Sequence, residues 1–138
     1  MNDERLLQVR FPAKPDRLRM VRALVHGAAE TAGCSSEVAS QLVIAVNEAC
    51  MNVMQHAYKG DRSGEIILEI LNNGKELTFV LTDFAEVVDP ARLKPRNLDE
   101  VRPGGLGMHF IKEIMDDYKF GQLADQCGNY LRMTRRIQ

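Results

Sequence analysis

Glu48, Asn52 and His56 stand four residues apart in the run SSEVASQLVIAVNEACMNVMQHAYKG, from Ser35 to Gly60. On an α-helix, side chains four apart stack one above the other, so the three share a stripe. A carboxylate one turn before a carboxamide has chemical uses. The Glu can take a proton, and the Asn oxygen can hold a hard cation such as Mg²⁺. The same residues also suit the solvated back of a helix, and the stripe alone does not decide between the two. Asp83 is the next candidate. The alternation Leu77, Phe79, Leu81 continues to Asp83, which puts a carboxylate on the core-facing side of a strand end. That placement is expensive unless something pairs with it. Last, Gly104-Gly105-Leu106-Gly107 runs into MHFIKEIMDDY. Glycines at a helix start present free backbone N–H groups and the positive end of the helix dipole to an anion. Their spacing fits neither a P-loop nor a Rossmann fingerprint, and no strand immediately precedes them.

The elements that must position these residues follow from periodicity. Val38, Leu42, Ala45, Val46, Ala49, Val53 and Ala57 recur at helical steps, which predicts one long helix over 35–60, capped by Ser35 or Ser36 and stopped at Gly60. Upstream, Leu7, Val9 and Phe11 alternate as a strand closed by Pro12. Pro15-Asp16 opens a helix with Leu18, Val21, Leu24, Val25 and Ala28 inward, ending at Gly33; His26 rides on it as a surface residue. Ile66, Leu68 and Ile70 face Leu77, Phe79 and Leu81 across Asn73-Gly74, a type I′ hairpin signal. From Phe84 to Pro103 no period survives, which predicts a lid-like loop. A helix with Met108, Ile111, Ile114 and Met115 inward follows. Strands at 118–124 and 129–136 then close the chain around a turn at 125–128. Asn129, Leu131 and Met133 share the inner face of the last strand. Strand, helix, helix, hairpin, lid, helix, hairpin is the order of an α+β two-layer sandwich, with helices on one face of a mostly antiparallel sheet.

At 138 residues the chain is expected to be one domain, and 45% hydrophobic with 27% charged residues is ordinary for a soluble globular protein. A net charge of −1 gives no electrostatic reason to expect nucleic acid or an anionic membrane as partner. No apolar run approaches the ~20 residues of a membrane span, and MNDERLLQVR lacks the shape of a signal peptide. Cys34, Cys50 and Cys127 are odd in number and lack zinc spacing, which implies buried, reduced thiols and a cytoplasmic location.

With these residues in view, the chain resembles the Bergerat-fold (GHKL) ATP-binding proteins, and in particular the anti-sigma-factor serine kinases of the RsbW and SpoIIAB type. NEACMNVMQHAYKG is similar to their N box, LTDFAEVVDP stands where they have a D-x-G box, and PGGLGMHFIKEIMDDY matches their second glycine box. The resemblance runs from about Val9 to Met133. It implies that Glu48 is the general base toward a substrate serine and that Asn52 binds Mg²⁺ on ATP. Asp83 would accept from the adenine amine, and Gly104, Gly105, Leu106 and Gly107 would present backbone N–H groups to the phosphates. His56, at the end of the N box, either lines the pocket or packs; His109 is structural or on the surface. Two positions depart from the pattern. Ala85 stands where D-x-G has its glycine, adding a Cβ that is costly wherever positive φ is required. Asn129 stands where many of these proteins share the adenine contact through a Thr, and an Asn can still hydrogen-bond there.

The resemblance implies a kinase that also sequesters a sigma factor and phosphorylates a STAS-domain anti-anti-sigma protein, working as a homodimer. A partner-switching binder with a vestigial or structural nucleotide site is the alternative. A detached histidine-kinase ATP-binding domain is the third reading, disfavoured by the lack of an adjoining dimerisation helix pair with a phosphoacceptor His.

Overall fold

The computed structural model describes residues 3–85, 106–124 and 127–137. Residues 86–103 of the lid expected from Phe84 to Pro103, Gly104, Gly105 and the tip of the last turn (125–126) lie outside the described residues. Strands β1 (Glu4–Pro12), β2 (Glu65–Asn72), β3 (Glu76–Asp83), β4 (Asp117–Gln122) and β5 (Asn129–Arg136) form one five-stranded sheet in the order β1-β2-β3-β5-β4. Every neighbouring pair is antiparallel. Helices α1 (Leu18–Thr31), α2 (Ser36–Asn52) and α3 (Leu106–Ile114) form the second layer. This is the expected α+β sandwich.

The expected alternation places the core. Ile66, Leu68 and Ile70 of β2, Leu77, Phe79 and Leu81 of β3, and Met133 of β5 are buried with Leu42, Val46 and Cys50 of α2 and Ile111 of α3. Truncating the fully buried Phe79 to alanine would cost about 3–5 kcal/mol, a large part of a typical ~5–15 kcal/mol stability. The apolar environment also pushes the buried Cys50 thiol up to about 12. Cys127 departs from the expectation of buried thiols: it is exposed.

Three local features differ from the periodic reading. The register of β1 on β2 shifts between Arg5 and Leu7, so Leu6 is a bulged residue. Leu6 packs against the core beside Leu7, and the two line a groove with Leu24 of α1, which is partly exposed rather than inward. The β2–β3 connection is a hairpin, but not of type I′: Gly74 has φ of +90° while Asn73 has no positive φ. Asn73 Oδ1 instead accepts from the N–H groups of Lys75 and Glu76, and Asn72 Oδ1 from that of Gly74. Side-chain carbonyls thus reinforce a three-residue loop that one backbone bond, Asn73 N–H to Glu76 O at 3.3 Å, also spans. The third feature is in the 35–60 helix. Ser35 caps it, its hydroxyl accepting from Val38 N–H at 3.1 Å, but regular α-helix ends at Asn52 and Val53–Ala57 form a π turn. Tyr58 N–H reaches back to Val53 O and Gly60 N–H to Met54 O, both at 2.9 Å.

Candidate functional site

Asp83 is the last residue of β3 and lies directly opposite Asn129, the first residue of β5. Its carboxylate is core-facing and only 5% exposed, as the parity of β3 requires. One oxygen, Oδ1, accepts from the Asn129 carboxamide and from the Ala85 N–H, each at 3.0 Å. Burial pushes this carboxyl above the ordinary carboxylate range, against the two hydrogen bonds that favour its charged form. A buried acceptor at the open end of a strand suits recognition of an N–H donor. Asn129, where the resemblance leads us to expect a Thr, supplies its Nδ2 as the donor across the strand pair. Ala85 is buried and its φ is not positive, so its Cβ brings no backbone strain.

Glu48 and Asn52 are both half-buried, one turn apart near the end of α2. The α-periodic stripe ends there, because the π turn intervenes before His56. A π turn closes on i→i+5 hydrogen bonds rather than i→i+4, so the Val53–Ala57 segment that carries His56 is wound differently from the helix that carries Glu48 and Asn52. π turns of this kind recur at functional sites.

Helix α3 packs along α2. A polar surface cavity groups Ser35 and Val38, at the start of α2, with Glu113 and Ile114, at the end of α3. The two helices are therefore antiparallel, and the first turn of α3, Leu106 and Gly107, lies toward the Glu48–Asn52 end of α2. His109 is an exposed residue of α3 facing Glu113 at 3.1 Å, and His26 on α1 faces Glu30 at the same distance. Among the described residues no cluster of His, Cys, Asp or Glu makes a metal cage. A cation held by one carboxamide plus substrate phosphates needs none, and the half-buried Asn52 suits that role.

Two residues of the site escaped the sequence reading. The Tyr58 hydroxyl donates to Glu65 O at 2.5 Å and accepts from Phe84 N–H at 2.8 Å, joining the end of the π turn to both β2 and the Asp83 loop. Gly128 is buried against Asp83, where an added Cβ would stand 2.1 Å from the Asp83 carbonyl oxygen. Only the glycine before Asn129 hinted at such a close approach.

A histidine kinase-like ATPase domain model matches residues 11–135. The serine-protein kinase RsbW of Listeria monocytogenes is 37% identical over 127 residues, covering 86% of this chain and 80% of that protein. That of Oceanobacillus iheyensis is 28% identical over 145 residues, covering 99% and 90%. Among solved structures, the RsbU and RsbW domains of a Mycobacterium tuberculosis protein superpose with a TM-score of 0.67 at 17% identity, over 99% of this chain and 32% of that one. The SiaB–SiaC complex of Pseudomonas aeruginosa gives 0.65 at 12% identity, over 96% and 89%. These two share the fold. From the domain match and the Listeria relative, the chain belongs to the histidine kinase-like ATPase family, alongside the RsbW serine-protein kinases.

Proposed function

We propose that this chain is an ATP-dependent serine-protein kinase that also acts as an anti-sigma factor in a partner switch. The observation that carries the reading is the buried Asp83 carboxylate, held by Asn129 and Ala85 at the end of β3 and aimed for an N–H donor such as the adenine amine. Glu48 is the base: it takes the proton of a substrate serine as the hydroxyl oxygen attacks the γ-phosphorus. The new O–P bond forms as the bond to the β-phosphate oxygen breaks, and ADP leaves. Backbone N–H groups of Gly104, Gly105, Leu106 and Gly107 cradle the phosphates. Asn52 would hold a Mg²⁺ ion, which neutralises phosphate charge when bound.

The substrate is a STAS-domain antagonist, and the second partner a sigma factor held inactive. Phosphate on the antagonist weakens its grip, so the sigma factor stays sequestered. The names of the relatives favour an enzyme over a binder with a vestigial nucleotide site. No helix among the described residues is long and apolar enough to cross a membrane, which agrees with work in the cytoplasm. The sheet face opposite the helices carries half-buried Ile67, Val80 and Tyr130, a surface suited to a second copy of the chain.

The test is capture of partners from native lysate with and without ATP, followed by transfer of labelled γ-phosphate to what is captured. A sigma factor bound, and a STAS protein phosphorylated on serine, is the expected result. Absence of phosphate transfer to any captured partner would turn the reading toward a pure binder.

A further inference from the structure

We propose that Tyr58 is a positioning residue for the nucleotide base, its hydroxyl clamping the Asp83–Phe84 peptide so that the Asp83 carboxylate meets its ligand. The inference rests on the assignment of Asp83 to the adenine. Tyr58 touches no reacting atom; it acts through Asp83.

The peptide unit between Asp83 and Phe84 is gripped from both ends. Its N–H donates to the Tyr58 hydroxyl at 2.8 Å, and its C=O abuts Gly128 so closely that no side chain fits between. The hydroxyl is itself fixed, because it donates to Glu65 O on β2 at 2.5 Å. A phenol can serve as donor and acceptor at once only while protonated. Burial pushes its pKa up, and the nearby Asp83 charge adds to that, so it keeps its proton at neutral pH.

Two further contacts close the circuit. The Tyr58 ring lies over Gly64, where an added Cβ would stand 2.4 Å from a ring carbon, so Gly64 is what lets the ring reach this position. The Phe84 ring is 41% exposed but not loose. The Arg10 guanidinium sits 5.4 Å from its centroid and is oriented by two hydrogen bonds to Glu65, at 2.9 and 2.7 Å. Backbone and ring of Phe84 are thus both tied to residue 65 of β2. Asp83, one residue earlier, inherits that rigidity, and pre-set acceptors bind better than ones that must be ordered on binding. Tyr58 also follows the π turn directly, so the helix carrying Glu48 and Asn52 and the loop carrying Asp83 share one fastening point.

Two variants test this, with Mg·ATP and inorganic tripolyphosphate as probes in calorimetry. Tyr58→Phe keeps the ring over Gly64 and removes the hydroxyl. Gly64→Ala keeps the hydroxyl and displaces the ring. Each is expected to raise the Kd for ATP about tenfold, the scale of one or two net hydrogen bonds, and to leave that for tripolyphosphate, which carries no base, unchanged. In a phosphotransfer assay the KM for ATP should rise by a similar factor while kcat changes less than about twofold. Equal weakening of both probes would mean general loss of structure and would overturn the proposal. So would unchanged ATP affinity in Tyr58→Phe while the unaltered protein binds ATP. If the unaltered protein binds tripolyphosphate but shows no preference for ATP, the adenine assignment of Asp83 fails first and the clamp with it.

Discussion

Asp83 and Asn129 face each other across the β3–β5 ladder, and the Asn129 carboxamide donates to the Asp83 carboxylate at 3.0 Å. The pair is a neutral donor on a buried charge, so it stabilises the ionised form without cancelling it. A salt bridge at this position would neutralise the carboxylate on which the proposed adenine contact depends.

Replacing that charge separates stability from function. Asp83→Asn is expected to weaken ATP binding about ten- to a hundredfold, since an amide turned the wrong way offers a donor to a donor. The free protein should respond in the opposite sense. Burial raises the folded pKa of Asp83, so the folded state holds its proton more tightly than the unfolded chain does. Its contribution is therefore most favourable below the ordinary Asp range near ~3.9 and is lost as pH rises through the folded pKa. Asp83→Asn should melt higher than the parent at neutral pH, and the gain should vanish near pH ~3. Scanning calorimetry without nucleotide checks both.

Glu48 and Asn52 are separable in the same way. Glu48→Gln keeps size and helix propensity and removes the base, so phosphorylation should fall about 10²–10⁴-fold while ATP still binds and the sigma factor is still captured. Asn52→Ala should instead weaken ATP binding in the presence of Mg²⁺ and leave little difference when the metal is chelated. A normal phosphorylation rate in Glu48→Gln would remove it as the base.

Gly128→Ala tests the close approach of β5 to Asp83. A Cβ placed 2.1 Å from a backbone oxygen cannot be absorbed by a side-chain rotation, so strand or loop must move. Overpacking of this kind costs about 1–3 kcal/mol. Urea denaturation should show a lowered midpoint, and ATP affinity should fall with it.

The outer sheet face makes a fourth test. Val80 is half-buried between Glu69 and Arg132 on the neighbouring strands. Val80→Lys should leave the melting temperature nearly unchanged and convert the proposed homodimer to monomer at micromolar concentration by light scattering. A parent protein that is already monomeric would remove the dimer from the proposed function.

Much of this arrangement was legible because it depends on period alone. Alternation in 66–70 and 77–81 placed the hairpin and put Asp83 inward, and helical steps in 38–49 placed Glu48 and Asn52 on α2. What stayed hidden depends on contacts between distant residues or on the third dimension of a turn. The bulge at Leu6 exists only relative to β2, so counting along β1 puts Leu6 on the wrong face. The π turn is a choice of hydrogen-bond partner that leaves no mark on composition. Tyr58 meets a residue 26 positions away, and Gly128 reads as an ordinary turn glycine until the Asp83 carbonyl is placed beside it.

The π turn makes the 53–57 segment sensitive to length rather than to composition. Its wide turn takes up residues that an α-helix of the same rise would have no room for. Deleting a single residue there would let the helix relax to α geometry with Tyr58 kept near its present phase, because five residues of π turn sweep about as far round the axis as four of α-helix. A single inserted residue has no such outlet and would swing everything after it by about 100° around the axis. Tyr58 would then point away from both Glu65 and Phe84, although every side chain of the site was still present. A one-residue deletion within 53–57 should therefore be tolerated far better than a one-residue insertion. The connection between Gly60 and β2, which carries no such phase, should accept an insertion more readily.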